Sequence, residues 1–177
     1  MDEGSGAPTA DEVHRWTVAG AVVEHPDRGD LLLVRNVRRG GRWDWTPPGG
    51  VIERHEELLV GLGREVEEET GLRVQAWSGL LYEVHIEAVD LRWDLRVEVH
   101  RSGAVTGSLA TGDDPDGIVV DARWADPVTA RDLLESTQPW VREPLLEWIE
   151  ERWTTPRTFG FRVHGTEAAS TTVERTA

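Results

Sequence analysis

The sequence has no cysteine and no lysine, and it has only one tyrosine and two phenylalanines beside nine tryptophans. Without cysteine, the chain can form neither a disulfide nor a thiolate metal site. No apolar run approaches the ~20 residues that a membrane-spanning helix needs. The acidic start MDEGSGAPTADE also lacks the basic and apolar regions of a secretory signal. These absences predict a cytoplasmic protein without a membrane partner.

Negative charge dominates the composition. Aspartate and glutamate number 33 and the basic residues 19, which gives a formal net charge of −14 over 177 residues. Such a chain repels the phosphates of a long nucleic acid, so we expect no partner of that class. A small phosphorylated substrate stays compatible, because a divalent cation reverses the sign of the charge locally.

The order of apolar runs indicates an α/β fold. Strands are predicted at 15–24, 30–36, 73–88, 91–99 and 118–124, the first two as a hairpin around HPDRG. Helices are predicted at 56–70, where Gly71 supplies the stop, and at 126–134 and 139–153. A mixed sheet with helices packed on it fits this order better than a regular βαβ array.

The length fits one domain with spare residues at its ends. Residues 1–13 are small and polar and predict a flexible lead. Residues 14–153 predict the folded domain. Residues 154–177 are polar except for the short TFGFRV, and predict a tail.

Three glutamates share one side of the predicted mid-chain helix. At 3.6 residues per turn, Glu65, Glu68 and Glu69 fall within about a 100° arc, beside the apolar stripe of Leu59, Leu62 and Val66. Three like charges so close take up protons or bind a cation, and carboxylate oxygens suit Mg²⁺ or Mn²⁺. Without further context, a solvated acidic helix face is the better interpretation.

The spacing around these glutamates is more specific. Five residues separate Gly50 from Glu56, and seven more lead to Arg64, Glu65 and Val66; after one further residue the chain continues with Glu68, Glu69, Thr70, Gly71 and Leu72. This stretch resembles a complete Nudix box. The preceding WTPPGG resembles the W-x-L-P-G-G lead-in of that family, with Pro47 where leucine is usual. The resemblance implies the Nudix-type α/β/α sandwich with a mixed β-sheet.

The resemblance also implies a metal-dependent hydrolase of phosphoanhydride bonds, with Mg²⁺ or Mn²⁺ as cofactor. The implied catalytic residues are Arg64, Glu65 and Glu68, and the implied metal ligands are Glu65, Glu68, Glu69 and a main-chain carbonyl of the Gly49–Gly50 turn. Arg64 would hold the glutamates in register, with Glu56 as a supporting partner. The proton acceptor stays open between Glu68, Glu65 and an acid in a later loop.

The best later acid is Asp116 in GDDPDG, for which an acidic solvent loop is at least as good an interpretation. Two glycines depart from helix preference, at about 1 kcal/mol each. Gly61 lies on the glutamate side, where it would permit another backbone to approach, whereas Gly63 has no evident reason.

A basic segment offers candidate substrate contacts. No acidic residue occurs between Leu31 and Trp43, a stretch that contains Arg35, Arg38, Arg39 and Arg42. Arg35 and Arg42 bracket a predicted phosphate cradle, and a soluble hairpin tip is the equal alternative. Trp43 and Trp45 are candidates to stack on a base, although core packing is the better interpretation for at least one of them.

The substrate prediction favours nucleoside triphosphates, oxidised ones included, over nucleotide sugars and dinucleotides. A homodimer stays open. The alternative function is a non-catalytic Nudix-like module that senses a nucleotide. Such modules usually lose a box glutamate, whereas this chain keeps Glu65, Glu68, Glu69 and Arg64.

Overall fold

The computed structural model describes residues 13–38, 40–111, 115, 117–166 and 171–177. None of the helices in these ranges is long and apolar enough to cross a bilayer. The strands are β1 His14–Val22, β2 Leu31–Val37, β3 Trp43–Thr46, β4 Gly49–Val51, β5 Leu72–Val74, β6 Trp77–Ala88, β7 Trp93–Ser102, β8 Val105–Gly107, β9 Val119–Ala125, β10 Arg157–His164 and β11 Thr172–Arg175. The helices are α1 Leu58–Thr70, α2 Pro127–Leu134 and α3 Pro139–Glu151.

A mixed sheet of six described strands lies at the centre, in the order β11-β10-β6-β7-β1-β4. The pairs β1–β7 and β6–β10 are parallel, and the other neighbours are antiparallel. Strands β3, β2 and β9 form a second sheet, and β5 pairs with β8. The predicted α/β class with a mixed sheet is confirmed.

Helices cover both faces of the central sheet. On one face, Ala19 and Ala21 of β1 pack in a core with Leu62 and Val66 of α1. The other face belongs to a larger core to which α2 and α3 contribute Leu134, Leu145, Trp148 and Ile149. Small alanines in β1 let α1 approach the sheet closely, which places the α1 side chains against β4.

The predicted hairpin of residues 15–24 and 30–36 is wrong. β1 and β2 belong to different sheets and meet only through an isolated bridge between Glu24 and Leu31. β2 is buried from Leu31 to Val34, on both of its faces. Its backbone pairs with β3 along one edge and with β9 along the other, which leaves no edge free for β1.

The polar tail predicted from residue 154 is corrected as well. β10 contributes Phe159, Phe161 and Val163 to the large core, and Arg157 binds Glu151 of α3 at 2.6 Å. Only alternate residues of this strand are apolar, so its average composition is polar although one face is buried. Residues 1–12 of the predicted flexible lead lie outside the described part of the chain.

Candidate active site

β4 brings the Gly49–Gly50 pair against α1. A Cβ on Gly50 would lie 2.6 Å from Oε2 of Glu65. Gly49 has a φ of +146°, and a Cβ there would lie 2.2 Å from the carbonyl oxygen of Ala19. Only glycine fits at Gly49, where the obstacle is backbone, whereas a Cβ on Gly50 would displace the Glu65 carboxyl group from the turn. At both positions the absence of a side chain lets the backbone of the turn touch the α1 carboxylates.

The buried carboxylate of Glu69 is fixed by this turn. The Gly49 N–H donates a hydrogen bond of 2.8 Å to Oε2 of Glu69. A charge-assisted bond of this kind stabilises the ionised carboxylate in a partly desolvated place. Glu65 and Glu69, one helical turn apart, therefore both lie against the two glycines.

Arg64 connects the remaining carboxylates. Its Nε and Nη2 each donate to one oxygen of Glu56, at 3.1 Å, while Nη1 lies 2.9 Å from Glu65 and 2.8 Å from Glu68. The bonds to Glu56, opposed in part by burial and reinforced by Glu65 and Glu68, raise the pKa of Arg64. The hydrogen bond from Arg64 is the main cause that lowers the pKa of Glu56. One guanidinium thus compensates three carboxylates.

The carboxylates of Glu65, Glu68 and Glu69 are chemically suited to bind a divalent cation. Among the described side chains, no three His, Asp or Glu residues converge closely enough to hold a metal ion. In this arrangement Glu65 and Glu68 face Arg64, and Glu69 faces the Gly49 N–H. Three carboxylates along five residues of one helix nevertheless supply only hard oxygen donors, which Mg²⁺ and Mn²⁺ prefer. Binding would require Glu65 and Glu68 to exchange part of their contact with Arg64.

The two glycines inside α1 have different surroundings. A Cβ on Gly61 would lie 2.6 Å from Oε2 of Glu56 and 3.0 Å from Cδ1 of Ile52. The Glu56 carboxyl group therefore occupies the space beside Gly61. The prediction that another backbone segment approaches there is wrong. Nothing lies within 4 Å of a Cβ on Gly63, and the structure does not explain that glycine.

The glycine turn and the arginine-linked carboxylates occupy the residues of the predicted Nudix box. A sequence model of the NUDIX domain matches residues 14–149, more than half of the chain. The chain belongs to the NUDIX domain family. This confirms the resemblance that the Gly50–Leu72 spacing indicated.

Individual relatives match parts of the chain. The MutT-like protein of Streptomyces ambofaciens is 43% identical over 67 residues, 38% of this chain and 40% of that protein. The 8-oxo-dGDP phosphatase NUDT18 of Danio rerio is 30% identical over 122 residues, 66% of this chain and 35% of that protein. The chain thus matches less than half the length of either relative.

Solved structures share the fold at low sequence identity. The MutT protein from Methanosarcina mazei Go1 has a TM-score of 0.63 at 20% identity and covers 79% of this chain and 96% of its own. The MutT NUDIX hydrolase from Burkholderia pseudomallei has a TM-score of 0.61 at 23% identity, covering 75% and 96%. The Nudix fold of this chain is therefore shown well beyond its box.

The predicted arginine contacts lie at the other end of β3 from the Nudix box. Arg42 is exposed, Arg38 binds Asp44 at 3.0 Å, and the Arg35 guanidinium lies 5.7 Å from the Trp43 ring centroid. Among the described residues, the buried Nε of Arg35 has no hydrogen-bond partner. A cleft of about 350 Å³ lies here, lined by Arg38, Gly41, Arg42, Trp43, Asp44, Ser136 and Gln138. No sequence signal identified Ser136 or Gln138, which the link between α2 and α3 brings to it.

Trp45 does not form the predicted stacking surface. Its side chain is 2% exposed and packs in the large core, with the Arg123 guanidinium 4.5 Å from its ring centroid. Its carbonyl also accepts a 2.7 Å hydrogen bond from Oγ1 of Thr137. Trp43, at the open end of β3, is 55% exposed instead. The other predicted positions, Arg39 and Asp116, lie outside the described residues.

Proposed function

We propose that the chain is a divalent-metal-dependent hydrolase that cleaves a phosphoanhydride bond in a nucleoside diphosphate linked to another moiety. The observation that carries the proposal is the contact of Glu65 and Glu69 with the Gly49–Gly50 turn, next to an arginine that binds three carboxylates. A purely solvated acidic helix face would have no reason to lie against a glycine turn whose backbone N–H binds one of its carboxylates. The cluster instead indicates a site whose concentrated negative charge binds a cation.

Glu65, Glu68, Glu69 and a main-chain carbonyl of the Gly49–Gly50 turn would hold Mg²⁺, or Mn²⁺ in its place. When bound, the cation would stabilise charge on the phosphate oxygens and lower the pKa of an attacking water. Arg64 is a positioning residue: it keeps Glu65 and Glu68 oriented through Nη1. Glu56 in turn fixes the guanidinium through two oxygens, since Gly61 leaves space for its carboxyl.

The proton of the attacking water needs an acceptor. Glu68 and Glu65 are the candidates within the box, and Asp116 is the candidate from the later loop. Oε2 of Glu68 bonds only to the Nη1 of Arg64 in the hydrogen-bond contacts described for its side chain.

Nucleoside triphosphates, oxidised ones included, are the favoured substrates, followed by nucleotide sugars and dinucleotides. The similarity to a relative named 8-oxo-dGDP phosphatase supports a purine nucleotide with an oxidised base. Arg35 and Arg42 are proposed to bind a terminal phosphate or a sugar phosphate of the substrate, away from the bond that is cleaved. The proposal also keeps a cytoplasmic location, a small-molecule partner and an open oligomeric state.

The alternative is a nucleotide-sensing module without turnover. The complete set of Arg64, Glu65, Glu68 and Glu69 argues against it, because a sensor has no need of a water-activating centre.

The test is a hydrolysis screen with purified protein, a nucleotide panel and separate assays for phosphate and pyrophosphate release. We expect hydrolysis with Mg²⁺, none with EDTA, and recovery when Mg²⁺ or Mn²⁺ is added in excess. Undiminished hydrolysis in metal-free buffer would refute the metal dependence. Nucleotide binding without hydrolysis of any member of the panel would favour the sensing module.

A further inference from the structure

The arginine cleft, of about 350 Å³, has two walls that come from distant parts of the chain. One wall is the end of the β2–β3 hairpin, where Arg42 and Trp43 lie. The other wall is the link between α2 and α3, which contributes Ser136 and Gln138. The width of the cleft therefore depends on how the link is held against β3.

Thr137 attaches the link to β3. In the link, Ser136 is exposed and Gln138 is half-buried, whereas Thr137 between them is only 3% exposed. Its Oγ1 donates a hydrogen bond of 2.7 Å to the carbonyl oxygen of Trp45, 92 residues away in sequence. The link can reach this carbonyl because β3 is an edge strand among the described strands of its sheet. A buried hydroxyl costs free energy without its partner, so this bond favours one position of the link.

Further hydrogen bonds attach the link to the two helices. The N–H of Thr137 donates to the carbonyl oxygen of Leu134, the last residue of α2, at 3.0 Å. From α3, Nη1 of Arg142 donates to the carbonyl oxygen of Glu135 at 2.9 Å. The wall of the cleft is thus bound to α2, α3 and β3, and only the bond from Oγ1 of Thr137 connects it to the strand opposite.

The groups that line the arginine cleft favour an anion. The Arg42 side chain is exposed, and Arg38 lies 3.0 Å from Asp44 in an ion pair. From the link, Ser136 and Gln138 add a hydroxyl and an amide, which donate hydrogen bonds without bringing negative charge. A phosphate group between the walls would meet donors on both sides.

Two further carboxylates lie outside this cleft. Asp132 and Glu135 line a neighbouring cleft of about 320 Å³, which shares Trp43 and Ser136 with the first. Like charges repel, so an anion is favoured on the side of Arg42 and disfavoured on the side of the two carboxylates.

We propose that Thr137 is a positioning residue, whose bond to Trp45 preorganises the arginine cleft to bind a phosphate group of the substrate. The inference rests on the proposed function, in which Arg42 binds a terminal phosphate or a sugar phosphate. Donors that are already in place lose little conformational freedom on binding. The bond therefore acts on the affinity for the phosphate and not on the chemical step.

Titration of inorganic pyrophosphate in EDTA tests this role without the metal site. In EDTA the box carboxylates have no cation and repel pyrophosphate, so binding reports on the cleft. Isothermal titration calorimetry at low ionic strength measures it, because contacts between exposed charges are least screened there. Thr137→Val removes the donor at similar volume and should weaken binding about 3-fold or more. Thr137→Ser keeps the hydroxyl and should bind like wild type, whereas Arg42→Ala should lose most of the affinity.

A loss of stability alone needs its own control. Val163→Ala removes buried volume on β10, away from the link and the cleft. It should lower the Tm at least as much as Thr137→Val does and leave pyrophosphate affinity unchanged. In hydrolysis with Mg²⁺, Thr137→Val should raise KM about 3-fold and keep kcat near the wild-type value.

These readouts separate the role of Thr137 from the proposed function. If no phosphoanhydride is hydrolysed, the proposed function fails, and the titration in EDTA still decides the role of Thr137. Unchanged affinity in Thr137→Val, equal weakening in Val163→Ala or in Thr137→Ser, or no binding by the wild-type chain would each overturn it. A fall in kcat at unchanged KM would also overturn it, because the bond would then serve the Gly49–Gly50 turn, which begins four residues after Trp45.

Discussion

The Nudix box and the arginine cleft are two charged regions that are organised in opposite ways. In the box, Arg64 contacts Glu56, Glu65 and Glu68 at once, and Glu69 is held by backbone. In the arginine cleft, which Arg38, Arg42 and Trp43 help to line, the Arg42 side chain is exposed; Arg35 lies outside this lining, with its guanidinium 5.7 Å from the Trp43 ring centroid. Arg64 and Glu68, four residues apart on α1, and Glu56, which precedes that helix, compensate one another locally. A charge that a hairpin presents to solvent stays available to a ligand. Each such charge contributes less to the free energy of binding.

The largest effect is expected where a box carboxylate loses its charge. Glu68→Gln and Glu69→Gln should each lower kcat by about 10²-fold or more, with the fold retained, because little volume changes. Glu67→Gln is the matched control on the same helix, since Glu67 binds Arg73 on an exposed side. Steady-state kinetics and thermal melts measure both. Near wild-type rates in the two variants would show that the metal site is elsewhere.

Arg64→Ala should lower activity and stability together. It removes the one cation that compensates three carboxylates, so we expect at least a 10-fold loss of kcat. The side chain is about one-third exposed, so the loss of unfolding free energy should be only about 1–2 kcal/mol. Arg73→Ala, which removes a single exposed ion pair, should change stability by less than about 0.5 kcal/mol. Equal effects of the two substitutions in urea unfolding would contradict the compensation that we describe.

The Glu56–Arg64 pair predicts a pH dependence with a definite sign. Because Arg64 lowers the pKa of Glu56 below its usual 4.5, the pair stabilises the fold above that pH. The contribution is lost as pH falls through the lowered value, where the carboxyl takes up its proton in the folded state too. The Tm gap between wild type and Glu56→Gln should therefore be widest near neutral pH and close in acid.

A background of Arg64→Ala provides the control for that gap. Without the guanidinium, Glu56→Gln should change Tm by the same small amount at every pH. A gap that persists unchanged in acid would show that Glu56 acts through packing against Gly61 and not through its charge.

The contrast between the two regions also explains what sequence could predict. The box residues lie on one helix and one turn, so their spacing alone placed Glu65, Glu68 and Glu69 on a common side. The predicted stacking role of Trp45 is wrong because its ring is buried beneath Arg123. That arginine lies on β9, far along the chain from Trp45. β10 was missed because its partner, β6, is about 75 residues away, and a strand with one buried face has a polar average composition.

The smallest effect is expected in the arginine cleft. Arg35→Ala and Arg42→Ala should each raise KM about 5-fold, equivalent to ~1 kcal/mol for a half-exposed charge, and lower kcat less. Contacts with a remote part of the substrate are made equally in the ground and transition states, so they affect binding more than rate. Product inhibition should weaken by a similar factor.

A change in net charge could also raise KM without any contact, because the chain already carries −14. The double variant Arg28→Ala/Arg131→Ala makes the same charge change at two exposed ion pairs outside the cleft. Long-range repulsion acts on both double variants alike and fades once the Debye length falls well below about 10 Å, the value near 0.1 M salt. A direct contact keeps the KM of Arg35→Ala/Arg42→Ala above that of the control at every salt concentration. If the two KM values coincide throughout, the cleft is a solvated hairpin tip that makes no contact with the substrate.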